Sequence, residues 1–200
     1  MRAVLRDLAA HPGTARHIAW KLAVHFVGDT PDPDLIDTLE GAYRKNDGAL
    51  MPVYEALLTH PAGWQAPLSN YKPPIDFMSS AMRGLAVPKD AFEGKTENRL
   101  RNMFAGPLIR MGQPWERPVG PDGWPEEDDA WITPQGLAAR VSWAMTMPEI
   151  IMGALPDPRA FVDAALGPYS GDAVRFAAAA AESKPEAIGI VLMSPAFQRR

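Results

Sequence analysis

The sequence contains no cysteine, and this absence excludes several kinds of site at once. None of its 200 residues is a cysteine, so a disulfide framework, a thiolate zinc site, an iron–sulfur cluster and a cysteine nucleophile are all ruled out. A chain of this length closes a hydrophobic core without such crosslinks. We therefore expect a soluble globular protein that needs neither a structural metal nor a cofactor to fold.

The sequence has no excess of basic residues and no long apolar run. The chain has 20 basic and 24 acidic residues, a net charge of −4, which argues against nucleic-acid binding because that depends on basic surface. The longest apolar run, residues 187–193, is far shorter than the roughly 20 residues of a membrane span. The first residues also lack the continuous apolar core of a secretory signal. The missing signal alone favours the cytoplasm. The missing apolar run predicts that the chain has no membrane span.

Proline, in contrast, is abundant and divides the chain into helices. The sequence has 21 prolines, about twice the usual share of roughly 5%. Because proline is tolerated at a helix start but not inside one, helices are expected within the windows that lack proline. These windows are 13–30, 34–51, 75–87, 89–106, 135–147 and 169–184, and most have helical periodicity. The helix in 34–51 is expected to end near residues 46–48, a further helix to span residues 50–58, and another to carry Leu100, Phe104 and Leu108. The last third of the chain is expected to hold helices near 158–166, 170–182 and 185–193.

Local signals refine these helices. Asp32 with Pro33, and Thr133 with Pro134, are typical of a capping residue followed by proline in the first turn. Pro107 is expected to shorten or kink the helix that contains it. Almost no segment alternates as a strand does. We predict a single all-α domain over 1–200, with about eight to ten short-to-medium helices in an irregular orthogonal bundle and one long loop.

The first long helix carries a column of basic side chains. Its apolar face holds Ala15, Ile18, Leu22 and Phe26 at helical spacing, and this face is expected to meet the core. His17, Lys21 and His25 follow one another at intervals of four and form a neighbouring column, with Arg16 on the other flank.

Three interpretations of this column stay open. The two histidines start roughly 12 Å apart, whereas zinc needs ligands within about 2.1 Å, so a metal held by this column alone is not expected. The fixed charges of Lys21 and Arg16 could bind an anion such as a phosphate or carboxylate. The plainer interpretation is that the column is satisfied by neighbouring helices.

Residues 112–134 form the long loop, which is rich in proline and tryptophan. The loop holds five prolines, three of the six tryptophans, and six carboxylates against Arg117 alone, so its charge is −5 and the remaining chain is +1. Trp115, Trp124 and Trp131 are expected to plug the core from outside. Alternatively, they form a platform for a sugar ring or for an apolar side chain of a partner. A calcium site does not fit, because the acidic residues lack the order of an EF-hand loop.

No catalytic motif accompanies these features. The sequence lacks a nucleophile elbow, a phosphate-binding glycine loop and a dinucleotide fingerprint, and no catalytic residue is identified. These absences favour a non-catalytic module over an enzyme.

Five blocks of the sequence resemble one bacterial family, called domain of unknown function 1800. The blocks are HPGTARHIAWKLAVHFV (11–27), DGALMPVYEALLTHPAGW (47–64), KPPIDFMSSAMRGL (72–85), LIRMGQPWERPVGPDGWPEEDDAWITPQGLAARVSWA (108–144) and LMSPAFQRR (192–200). The similarity is to the C-terminal half of the family, so the chain is interpreted as a fragment or a reduced member. The prominent positions within these blocks are Arg16, Lys21, His25, Arg83, Gln113 and Trp124.

The resemblance implies a helical fold and no established activity. Many members look exported, and many are encoded beside a family that resembles sulfatases and phosphatases. The leading hypothesis is thus a non-catalytic helical module that packs against a protein partner, either the missing N-terminal half or such a neighbour. The alternative is a ligand-binding or hydrolase-type domain with an anion site at the His17/Lys21/His25 column beside the loop. The candidate ligand-binding residues are Arg16, His17, Lys21, His25, Gln113, Trp115, Trp124 and Trp131.

Overall fold

The structure is a computed structural model that describes residues 1–64 and 68–200, and across these ranges the chain is all-α. Strand pairing is limited to isolated bridges, Tyr71 with Arg199 and Gly120 with Gly123. The α-helices are α1 (Arg2–Ala10), α2 (Pro12–Phe26), α3 (Pro33–Lys45), α4 (Leu50–Thr59), α5 (Pro74–Gly84), α6 (Glu97–Leu100), α7 (Gly106–Arg110), α8 (Pro134–Met152), α9 (Pro158–Leu166), α10 (Asp172–Ala180), α11 (Lys184–Met193) and α12 (Pro195–Gln198). The predicted all-α class is confirmed.

Proline and a capping side chain together start several helices. Asp32 accepts a hydrogen bond from the N–H of Asp34 (2.9 Å) at the start of α3, and Thr133 accepts one from Gly136 (3.1 Å) at the start of α8. Both predicted starts are confirmed. In each case the capping oxygen satisfies an N–H that has no partner within the helix.

Two helices depart from the proline-based prediction. The helix α1 precedes the first proline and was not expected. The helix α8 continues through Pro148 to Met152 instead of ending at the proline. Ala144 and Pro148 are both buried, so packing of this stretch compensates for the missing backbone hydrogen bond at Pro148.

The described chain divides into two compact units, Met1–Asn70 (unit 1) and Tyr71–Arg200 (unit 2). The expectation of a single domain stays a prediction beside this division. Each unit has a hydrophobic core made of its own residues.

In unit 1, α2 packs against α3, and α3 packs against α4. The inward face of α2 is a row of small residues, Ala15, Ala19 and Ala23, which lets the helices approach closely. Phe26 lies on the predicted core face but is 59% exposed. That part of the prediction is wrong, because Phe26 ends the helix and lines an open groove.

In unit 2, α8 and α11 form the centre of the core. Gly189 on α11 faces the sulfur of Met145 on α8 so closely that a Cβ there would clash. Phe77 of α5 meets Trp143 of α8 edge to face, with ring centroids 5.6 Å apart. Across the described residues no helix has both the length and the apolar character needed to cross a membrane.

Candidate functional site

The basic column of α2 lies in unit 1, and its members have different surroundings. Arg16 contacts the carboxylates of Asp37 and Glu40 on α3, and these hydrogen bonds raise the pKa of its guanidinium. Arg16 therefore ties α2 to α3. The ring of His17 stacks on Trp20, with centroids 6.5 Å apart.

His25 faces an apolar groove at the C-terminal end of α2, which we call the Trp64 groove. Its volume is about 640 Å³, and its lining consists of Leu22, His25, Phe26, Tyr54, Leu57, Leu58, Gly63 and Trp64. The indole N–H of Trp64 donates to the carbonyl of Leu58 (2.7 Å), which fixes the ring at the rim while 70% of the residue stays exposed. Adjoining exposed apolar side chains on one groove are typical of a binding surface.

The other predicted residues lie together in unit 2. Gln113, Trp115 and Trp124 line one pocket of about 210 Å³. Trp131 is buried, and its ring lies 6.2 Å from that of Trp124. Of the three loop tryptophans, Trp131 thus contributes to the interior while Trp115 is 58% exposed.

Gln113 connects this pocket to the start of α5. Its side-chain oxygen accepts a hydrogen bond from the backbone N–H of Ile75 (2.8 Å) in the first turn of α5. That N–H has no partner within the helix, and Pro73 at the capping position offers no side-chain acceptor. Gln113 therefore has a capping role, which explains its burial.

A π-helical segment, Arg101–Ala105, lies beside Trp115 and joins α6 to α7. Pro107 has no N–H for the carbonyl of Met103 four residues earlier, and its ring crowds that carbonyl. The indole N–H of Trp143 donates to the Met103 carbonyl instead (3.1 Å). That Pro107 shortens or kinks this helix stays a prediction; next to Pro107 the structure has the wider turn of the π-helical segment.

The backbone is also strained at the residue that follows Trp115. Glu116 has a φ of +54°, a conformation that is uncommon for a residue with a side chain. Strained non-glycine residues and π-helical turns both cluster at functional sites. Trp115 adjoins both features, since Glu116 follows it in the sequence and Phe104 and Ala105 of the π-helical segment line the same cavities as Trp115.

A cluster around Arg140 was not predicted as a site. Arg140 is fully buried on α8, and it donates to the side-chain oxygen of Gln198 (2.8 Å) and the carbonyl of Lys72 (2.7 Å). Its guanidinium carbon lies 4.6 Å from the ring centroid of Tyr71. Burial lowers the pKa of Arg140 to about 10. The signal in the sequence is an arginine spaced by three and four from Trp143 and Ala144, on the apolar face of its helix.

Lys72 belongs to the same cluster, and its side chain is also largely removed from water. The ammonium group donates to the carbonyl of Phe197 (2.6 Å) and lies 4.1 Å from the Phe197 ring centroid. Burial lowers the pKa of Lys72 to about 8. These contacts join the segment at residues 71–72 to the C-terminal residues of unit 2. Over residues 1–64 and 68–200, no group of three or more His, Asp or Glu is placed to hold a metal ion.

Comparison with known families gives one match. The family model of DUF1800, a protein of unknown function, matches residues 1–199. The chain is a member of the DUF1800 family. That it corresponds to the C-terminal half of the family stays a prediction. No curated protein and no solved structure matches this DUF1800 chain.

Proposed function

We propose that this DUF1800 chain is a non-catalytic helical module that acts by packing against another polypeptide. The observation that supports this proposal is the Trp64 groove, where Phe26, Leu58 and Trp64 are each more than half exposed on one concave surface. Scattered exposed apolar residues are ordinary on protein surfaces, but contiguous ones mark interaction sites.

The lining of the groove indicates what kind of segment it receives. Apart from His25 and Tyr54, its side chains carry no polar group except the indole N–H of Trp64, which is already bonded within unit 1. An extended peptide would bury backbone groups there without partners, at about 1–3 kcal/mol for each. A helix satisfies its own backbone and needs only an apolar stripe. The expected occupant is an amphipathic helix.

The chain itself carries such a helix. In α1, Val4, Leu5 and Leu8 form one apolar stripe, and each of them is more than half exposed. Every residue of α1 is exposed, so the described chain leaves this stripe uncovered. Unit 1 thus contains both an apolar groove and an amphipathic helix of the type that would fill it.

The helix α1 cannot reach the groove of its own chain while it keeps its present contacts. The Tyr43 hydroxyl donates to the Ala9 carbonyl (2.9 Å) and holds α1 at the beginning of α2. The groove starts at Leu22, roughly 15 Å further along α2 at a rise of about 1.5 Å per residue. We therefore assign the groove to α1 of a second copy, and reciprocal docking closes a symmetric dimer.

The test is the oligomeric state of the whole chain, measured by light scattering on a sizing column over a range of concentrations. We expect a concentration-dependent dimer. Leu5→Glu in α1 and Leu58→Glu in the groove should each give a monomer, because both place a charge in the contact. Phe176→Glu is the matched control, since Phe176 is an exposed apolar residue of unit 2, and it should leave the dimer intact.

Circular dichroism of each variant checks that the helices are retained. A chain that is monomeric at every concentration would show that the second-copy assignment is wrong. The N-terminal half of the family or a sulfatase/phosphatase-like protein would then be the candidate occupant. A dimer that Phe176→Glu disrupts and the other two variants do not would contradict the role of the groove itself.

A ligand-binding function is a second candidate, and the pocket that Trp115 shares with Gln113 and Trp124 favours it. The anion site suggested for the His17/Lys21/His25 column stays a hypothesis. Replacing Lys21 and His25 with alanine would test it, because loss of phosphate binding with an unchanged melting temperature would support it. A large fall in melting temperature would instead assign the column to the stability of unit 1.

A further inference from the structure

We propose that the pocket around Trp115 in unit 2 binds a small amphiphilic carboxylate, with an alkyl or aryl chain in its inner part and the carboxylate at its outer part. The Trp115 pocket consists of two adjoining cavities, which share Phe104, Ala105 and Trp115. The inner cavity has a volume of about 280 Å³ and the outer one about 570 Å³. Cavities that bind small molecules have volumes of roughly 300–1,000 Å³, so the outer cavity is within this range and the inner one is just below it.

The inner cavity is lined only by apolar residues. Met78 and Met82 of α5 contribute thioether side chains, and Phe104 and Trp115 contribute aromatic rings. Methionine side chains are flexible and polarisable, so they adapt to alkyl chains and to ring edges. With no polar group in its lining, this cavity favours a hydrocarbon.

The outer cavity has a positive charge, which attracts a carboxylate. Arg101 and Arg117 line it together with Glu97, so its charge is positive. Within residues 1–64 and 68–200, the guanidinium of neither arginine has a hydrogen bond or an ion pair. Guanidinium groups bind carboxylates through two parallel hydrogen bonds. The arrangement therefore suits an anionic head beside an apolar tail.

The local backbone explains why this pocket exists. The π-helical segment carries Arg101, Phe104 and Ala105, and its wider turn changes the direction of side chains relative to an α-helix. The strained backbone of Glu116 follows Trp115 directly. Both irregular segments place side chains at this one pocket. Unlike the Trp64 groove, which lies in unit 1, the Trp115 pocket lies in unit 2 and is lined by arginines.

Octanoate and octanol are the probes, because they share a tail and differ in the head group. Isothermal titration of the full chain should show saturable binding of octanoate that is stronger than binding of octanol. Arg101→Gln with Arg117→Gln should weaken octanoate about tenfold, as expected for the loss of about 1.4 kcal/mol of charge-assisted hydrogen bonding, and should leave octanol unchanged. Ala105→Leu fills the inner cavity and should weaken both.

Two exposed arginines outside the pocket provide the matched control. Arg99→Gln with Arg110→Gln removes the same charge and should leave octanoate binding as it is. The proposal is overturned if wild type shows no saturable octanoate binding, if octanol binds equally well, or if the control pair loses as much affinity as Arg101 and Arg117.

An anionic membrane surface also combines negative head groups with hydrocarbon chains. Binding to vesicles of phosphatidylglycerol distinguishes such a surface from a small amphiphilic carboxylate. Co-sedimentation that depends on Arg101 and Arg117, without binding of monomeric octanoate, would replace the small ligand with a lipid surface and overturn the proposal. Octanoate binding without co-sedimentation supports it.

Discussion

At the scale of the residue, Arg140 shows how unit 2 keeps a cation in its core. The guanidinium is held by an amide oxygen, a backbone carbonyl and the faces of Tyr71 and Phe77. Each hydrogen bond to a charged donor contributes more than a neutral one. With a pKa of about 10, Arg140 stays protonated at neutral pH. The cluster thus joins residues that are far apart in sequence.

Replacing Arg140 tests this role. Arg140→Ala should lower the free energy of unfolding by about 3 kcal/mol, because it leaves the buried acceptors of Gln198 and Lys72 unpaired and opens a cavity. Urea unfolding measures the change. Arg110→Ala, at an exposed position on α7, should change stability by no more than about 0.5 kcal/mol. Equal effects of the two substitutions would contradict a structural role for the Arg140 cluster.

The sequence could indicate that Arg140 is unusual but not what holds it. An arginine on the apolar face of a predicted helix is visible in the periodicity. Its partners Lys72 and Gln198 are 68 and 58 residues away, so no local pattern connects them. For the same reason, the hydrogen bond from Ile75 to Gln113 could not be predicted from residues 112–134 alone.

At the scale of the element, proline placed most helix starts and failed in two defined ways. Caps at Asp32 and Thr133 are local features, so the sequence predicted them. The helix α1 has no proline to mark it, although the spacing of Val4, Leu5 and Leu8 would have revealed it. The passage of α8 through Pro148 depends on tertiary packing, which a local rule does not include.

The π-helical segment offers a sharp test of how proline and tertiary contacts work together. Trp143→Phe removes the indole N–H that bonds the buried Met103 carbonyl, and it should destabilise unit 2 by about 1–3 kcal/mol. In the Pro107→Ala background the loss should be smaller, because residue 107 regains an N–H that can reach that carbonyl. Urea unfolding of the four proteins gives the coupling energy.

A coupling energy near zero would contradict this account of the wide turn. Trp115→Phe provides the matched control, since Trp115 is exposed and its indole N–H does not bond Met103. Its effect on stability should be the same with proline or alanine at position 107.

At the scale of the whole molecule, the candidate residues divide between the two units. Arg16, His17, Lys21 and His25 belong to unit 1, and Gln113, Trp115, Trp124 and Trp131 belong to unit 2. The sequence alone indicated the basic column of α2 and the loop at 112–134, because clusters of basic residues or of tryptophans are visible in a short stretch of sequence. It did not predict the Trp64 groove or the Trp115 pocket, since each is built from segments brought together only by packing.

The separate cores predict that damage to one unit is detected first in that unit. Leu39→Ala removes a fully buried side chain from the core of unit 1, and Phe161→Ala does the same in unit 2. Each should cost about 2–5 kcal/mol. Hydrogen exchange followed by mass spectrometry should show faster exchange in α2, α3 and α4 for the first, and in α5, α8 and α11 for the second. The two cores share no buried residue, so each should be able to open while the other stays closed. Equally faster exchange in both units after either substitution would therefore contradict the division.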